Sequence, residues 1–204
     1  MRARTVGLLS LALSGWILTC AGCAGGSATT RFYLLTPLTN ADGSDRGATA
    51  KTSLAVGVRR VTLPDYLDQP QIVTRVGPNQ LALAEFDRWA SPLANQFTRV
   101  LGEDLRGTIP SDRVVVFPWP QTDQVDYEVM VDVAQFEGRL AGDCSLVARW
   151  SIYGRERRAV LRAGTWSLSE PAKSGDYDAI AAAQSRLIAA LSREIAGALN
   201  AVAR

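Results

Sequence analysis

Three cysteines and no histidine set the chemistry open to this 204-residue chain. Without an imidazole, a Ser-His-Asp triad, a Cys-His dyad, an HExxH zinc site and His general-base catalysis near neutral pH are all impossible. Carboxylates are the other reactive groups, and they occur in pairs: Asp42/Asp45, Asp65/Asp68, Glu103/Asp104 and Asp176/Asp178. Paired carboxylates can work as acid and base or hold Ca²⁺. Each of these pairs, however, lies in a loop, a turn or on a helix surface, where solvated carboxylates are the rule. The charged run Arg155-Glu156-Arg157-Arg158 reads as a hairpin tip. The chain has no GxGxxG, no GxxxxGK[ST] and no GxSxG. We therefore expect no catalytic residue, no metal site and no cofactor.

The cysteines are more informative. A short basic start, Met1 to Arg4, precedes 13 residues from Val6 to Leu18 that are apolar apart from Gly and Ser. That is the length of a secretory core and too short to span a bilayer, which takes ~20 apolar residues. Thr19-Cys20-Ala21-Gly22-Cys23 follows. Small residues before a cysteine resemble the bacterial lipobox, in which the thiol is diacylated and the Cys becomes the acylated N-terminus. Cys23 fits with Ala21-Gly22 before it; Cys20, preceded by Thr19, fits less well. An ordinary secretory signal with an incidental Cys, or a retained membrane anchor, are the alternatives. Cleavage before Cys23 removes Arg2 and Arg4 from 22 cationic residues, leaving them equal to the 20 Asp+Glu. Such a balance attracts neither nucleic acid nor anionic lipid, so acyl chains such as palmitate would hold the protein to a membrane. Ala24 rather than Asp follows, which favours the outer membrane of a Gram-negative cell. Cys144 is then a lone thiol in an apolar stretch, best read as a small buried residue.

The elements that position these residues follow from periodicity. Residues 1–22 read as signal peptide and 23–31 as a lipidated tether of small polar residues; 32–204 form one domain. Arg31 to Thr36 reads as a strand, Asn40 to Ser53 as a loop, and Leu54 to Leu63 as a second strand. Gly77-Pro78-Asn79 links two runs as a hairpin. Ser91-Pro92 starts a helix, with Ser91 as cap, and Leu93, Phe97, Val100, Leu101 and Leu105 mark its buried face up to Gly107. Arg113 to Phe117 is a strand. Three further strands, within 126–140, 144–152 and 160–168, alternate in period 2 and read as a meander, placing Trp150 and Trp166 in the core. A long helix runs from about Asp176 to Ala203. The fold class is α/β in the mixed α+β sense, a mixed β-sheet sandwiched with two main helices.

Several of these segments together resemble the ABC-type transport auxiliary lipoproteins. They are Phe32-Tyr33-Leu34-Leu35 after the lipobox, the run from Val61 to Asp68 (VTLPDYLD), Gln71-Ile72-Val73, Trp89-Ala90-Ser91-Pro92-Leu93, Phe136-Glu137-Gly138 and the C-terminal helix. The resemblance spans Phe32 to the end, with the loop Asn40 to Ser53 as a departure. It implies a mixed α/β sandwich and a non-enzymatic outer-membrane lipoprotein. The resemblance implies that such a subunit works with an MCE-domain protein and its ABC transporter in intermembrane lipid transport, docking the periplasmic channel, with a ring of copies as an option. Only Cys23 carries over as a functional residue.

The residues themselves suggest where docking occurs. Pro64 and Pro70 bracket a short excursion whose tip, Tyr66-Leu67, either projects as a contact or tucks back onto the sheet. Trp119, between two prolines, is a third candidate contact. Two other readings need different features: a lipoprotein that binds a lipid in its own pocket needs a sizeable apolar cavity, and a structural envelope lipoprotein needs a cell-wall attachment.

Overall fold

Val129, Val131 and Val133 alternate with Glu128, Met130 and Asp132, and the first set is buried while Asp132 is exposed. One face of that strand is therefore core and the other meets solvent. In the computed structural model, which describes residues 29–38, 52–120, 124–155 and 159–203, this run is β6 (Tyr127–Gln135). It pairs antiparallel with β7 (Asp143–Gly154), and β7 with β8 (Val160–Pro171), giving the expected meander. Leu146, Ala148, Trp150 and Ile152 continue the buried face on β7.

The remaining strands are β1 (Arg31–Tyr33), β2 (Thr52–Val58), β3 (Gln71–Gly77), β4 (Gln80–Trp89) and β5 (Ser111–Val116). A five-stranded sheet has the order β5-β2-β6-β7-β8, and a three-stranded sheet the order β1-β4-β3. β2 is parallel to both β5 and β6, and β1 is parallel to β4. The hairpin β3–β4 forms around Gly77 as its turn residues require.

Helices α1 (Leu93–Thr108) and α2 (Tyr177–Val202) pack on one another, α1 against β5 and α2 against β7 and β8. Phe97, Leu101, Leu105, Leu187, Ile188 and Leu191 join the strand side chains in one core. The ring of Phe97 meets that of Phe136 edge-on, with centroids 4.9 Å apart. Cys144 is buried as expected, with Gly138 so close that a Cβ there would overlap its Sγ. Trp150 is in the core, and Trp166 is partly buried against it.

Both helix starts use local chemistry, although not equally. The Asp176 side chain accepts from Ala179 N at 2.8 Å and caps α2. At α1 the expected Ser91 cap is not formed: Pro92 holds the N-cap position and no side chain bonds the first turn. Instead Gln96 Nε2 reaches back to Ser91 O at 2.8 Å. Helix α1 also runs through Gly107 to Thr108, whose hydroxyl donates to Asp104 O.

Polar groups on the buried helix faces hold the N-terminal segment. Leu35 N donates to Gln96 Oε1 at 2.8 Å, Thr36 N to Ser185 Oγ at 3.1 Å and Leu38 N to Asp104 Oδ1 at 2.9 Å. Arg99 Nη2 donates to Leu35 O. Backbone polar groups beside a core must find partners, and these side chains supply them across both helices. Leu35 is thereby buried between them.

Candidate functional site

The segments between Pro64 and Pro70 and at Phe136–Gly138 are far apart in the chain yet meet around one buried carboxylate, and the Trp89 segment joins them through Trp89 N, which donates to Pro70 O. Glu137 is flush with the interior, its side chain fully shielded from solvent. Such a charge is tolerated only when paired and hydrogen-bonded. Arg75 Nε donates to Glu137 Oε1 at 2.8 Å and its Nη2 donates to the same oxygen. Tyr66 Oη donates to Oε2 at 2.9 Å, and Phe136 N to the same oxygen at 3.2 Å. Burial, and then its bond to Glu137, push the Tyr66 phenol up to about 12. The bonded carboxylate likewise raises Arg75 above its ordinary value. These hydrogen bonds commit the three side chains to one another, so the cluster acts as a clamp.

The clamp holds a one-turn 3₁₀ segment, Asp65–Leu67, against the sheet. Leu67 is 2% exposed. Of the two arrangements open to the Pro64–Pro70 tip, the structure adopts the tucked one: Leu67 fills the core and the Tyr66 hydroxyl is committed to Glu137. Leu67 therefore has almost no accessible area to offer a partner, whereas the half-buried Tyr66 ring stays partly open to solvent. What the excursion does expose is Asp65, Asp68, Gln69 and Pro70.

Asp68 lies between two open clefts. One, of about 220 Å³, is lined by Asp68, Gln69, Pro70, Trp89, Ser91 and Pro92. The other, of about 360 Å³, is lined by Arg60, Val61, Thr62, Leu63, Asp68 and Ala94. Backbone bonds fix both walls: Trp89 N donates to Pro70 O at 2.8 Å, Thr62 N to Val131 O at 3.1 Å, and Val61 N to Thr98 Oγ1 at 3.0 Å. The segments VTLPDYLD and WASPL thus form a single ridge-and-cleft surface.

Trp119 occupies a second surface. Its half-buried indole covers Gly57, where a Cβ would come within 2.9 Å of Cη2 and Cζ2. The exposed Phe117 ring stands edge-on to it at 6.0 Å, and the Arg59 guanidinium sits 5.4 Å from Phe117 and 5.7 Å from Trp119. Arg59 also pairs with Glu128 at 3.3 Å. An aromatic pair with a cation above it is worth about 0.5–1 kcal/mol at an exposed site.

Of the acidic pairs, Asp65 and Asp68 are exposed on the Pro64–Pro70 excursion, and three other carboxylates have structural partners. Glu103 pairs with Arg99, Asp104 accepts from Leu38 N, and Asp176 caps α2. Asp42/Asp45 lie outside the described residues, as do Cys20, Cys23 and residues 156–158 of the charged run. No group of three His, Cys, Asp or Glu among the described residues could hold a metal ion. No helix among them is long and apolar enough to cross a membrane.

The model of the ABC-type transport auxiliary lipoprotein component family matches residues 33–196, most of the chain. The chain belongs to this family. This auxiliary lipoprotein is 26% identical over 142 residues to the intermembrane transport lipoprotein PqiC of Escherichia coli, covering 67% of the chain and 73% of the relative. The PqiC of Shigella flexneri matches with the same values. In solved structures the fold recurs in a protein of Xanthomonas campestris, with a TM-score of 0.65 and 20% identity over 86% of this chain and 97% of that one. A second, uncharacterised protein gives a TM-score of 0.68 and 22% identity, over 84% and 99% respectively.

Sequence reasoning singled out Asp68 as one of an acidic pair and quoted Glu137 within a family-like segment, but linked neither to the other and passed over Arg75. A glutamate directly after Phe136, at the end of an alternating strand, was the available signal for Glu137. Its partners lie 62 and 71 residues away, and no local pattern encodes that pairing.

Proposed function

We propose that this lipoprotein is a non-enzymatic subunit of an intermembrane lipid transport system, anchored through Cys23 to the periplasmic face of the outer membrane. There it docks the end of a periplasmic channel built by an MCE-domain protein with its ABC transporter. The observation that carries the reading is the convergence of the family-like segments on the surface around Asp68, clamped from behind by Glu137. Surfaces that bind partners are rigidly positioned loops. This loop is fixed by a buried ion pair, two prolines and a leucine in the core. Asp68, Gln69 and the walls of the two clefts form the contact, while Tyr66 and Leu67 set its position. Trp119 with Phe117 is a second contact on the same subunit.

The similarity to intermembrane transport lipoproteins supports the class of function. A pocket that swallows a lipid draws less support: the space between the sheets and helices is filled by side chains such as Phe97, Leu101, Leu146 and Ile152, each fully buried. The test is affinity purification of the full chain from envelopes in mild detergent, followed by mass spectrometry. Recovery of an MCE-domain protein, lost on Asp68→Arg with the fold intact, is the expected result. Recovery of the chain alone with co-purified lipid would replace docking with lipid binding.

A further inference from the structure

Two large apolar side chains stand in solvent at the point where the domain meets its N-terminal tether. Phe32 is 65% exposed and Leu34 is 55% exposed. They are not exposed by looseness. β1 is hydrogen-bonded along β4 in register, with Arg31 opposite Asp87 and Tyr33 opposite Trp89. Arg31 Nε donates to Asp87 Oδ1 at 2.7 Å, its Nη2 to Oδ2 at 3.0 Å, and Tyr33 Oη to Oδ1 at 2.7 Å. Immediately beyond Leu34, Leu35 is fully buried and bonded to Gln96. The backbone on both sides is therefore pinned, and Phe32 and Leu34 are held outward on the edge strand of the small sheet.

We propose that Phe32 and Leu34 seat the domain on the bilayer surface beside its lipid anchor. This inference rests on acylation of Cys23. The chain length supplies the argument for the occupant: Phe32 lies only nine positions after Cys23. At ~3.3–3.6 Å per residue the fully extended tether reaches about 30 Å, so this edge of the domain cannot leave the neighbourhood of the headgroups. Nor does net charge drive the contact, since cleavage before Cys23 leaves equal numbers of cationic and anionic residues. An apolar pair flanked by Arg31, whose side chain is 65% exposed, suits the boundary between headgroups and acyl chains.

The test uses the processed full-length protein in vesicles of phosphatidylethanolamine and phosphatidylglycerol. Thr30→Cys carries an environment-sensitive fluorophore; Cys144 is fully buried and stays unlabelled. In the parent background, the label is quenched more strongly by nitroxide-bearing lipid than by aqueous iodide. With Phe32→Ser and Leu34→Ser added, both at exposed positions, the preference reverses while flotation and thermal unfolding stay unchanged. Equal lipid quenching in both backgrounds would show that the tether alone holds the label near the bilayer, and would overturn the seating. Loss of flotation in the parent chain itself would remove the acyl anchor, and the seating with it.

Discussion

Glu137 accepts from both Arg75 and Tyr66 inside the protein, so the three side chains should lose stability as a unit. Tyr66→Phe deletes one hydrogen bond to a charged acceptor, worth about 1.5–3 kcal/mol; the half-buried phenol puts the cost at the lower end, about 1.5 kcal/mol. Glu137→Gln removes the buried charge opposite Arg75. Breaking a buried pair costs about 3–5 kcal/mol. The Arg75 side chain is 25% exposed and recovers some hydration, which brings the expected loss to ~3 kcal/mol. In the double variant the tyrosine change adds less than ~0.5 kcal/mol, because its acceptor has already been altered; the coupling is then about 1 kcal/mol. Urea unfolding followed by tryptophan fluorescence reads this directly. With a slope of about 2 kcal/mol/M, the midpoint falls by ~0.7 M for Tyr66→Phe and ~1.5 M for Glu137→Gln. Full additivity of the two changes, or a Tyr66→Phe cost below ~0.5 kcal/mol, would refute the clamp and with it the rigid placement of Asp68.

Gly138→Ala drives a methyl into Cys144 Sγ between two well-packed strands, and the expected cost is about 1–3 kcal/mol by chemical denaturation. Adding Cys144→Ala makes room and should return part of that loss. Burial pushes the Cys144 thiol up to about 11, so at pH 8 it should react with a disulfide reagent only after denaturant is added, and fast labelling of the native protein would contradict its burial. The pH profile of stability should fall at both extremes. Burial opposes the charge on Asp87, but the bonds from Arg31 and Tyr33 outweigh it and hold its pKa below the ordinary value. Backbone donors do the same for Asp126 and Asp176. Carboxylates lowered in the fold contribute stability above their unfolded pKa near 4, lost as pH falls through the folded values. Burial, with the bonds to Asp87 and Glu137 adding to it, raises Tyr33 and Tyr66 to about 12. Their contribution is full below about pH 10 and is lost as pH rises toward 12. Thermal unfolding across the range checks both limbs.

Histidine-dependent chemistry was closed by composition alone, since a side chain that is absent cannot act. The meander β6–β7–β8 and helix α2 were equally legible, because burial on one face imposes a period of 2 or 3.6 on neighbouring residues. The family itself was readable from segments such as VTLPDYLD and WASPL before any coordinate. Pairings between distant residues were not readable. That β2 lies parallel between β5 and β6, and β1 beside β4, joins segments about 55–75 residues apart, and periodicity within each strand is silent on its neighbour. The Ser91 cap failed for a related reason: Gln96, a residue with ordinary helix propensity, binds Ser91 O at the helix start and Leu35 N, 61 residues away in the chain. Leu67 was an apolar residue in a proline-bracketed turn, equally at home facing in or out. Its burial was decided by Glu137, which Tyr66 reaches across 71 positions of chain. A buried carboxylate must collect its donors wherever the tertiary fold brings them, and in doing so it settles which side of the Pro64–Pro70 loop faces the solvent.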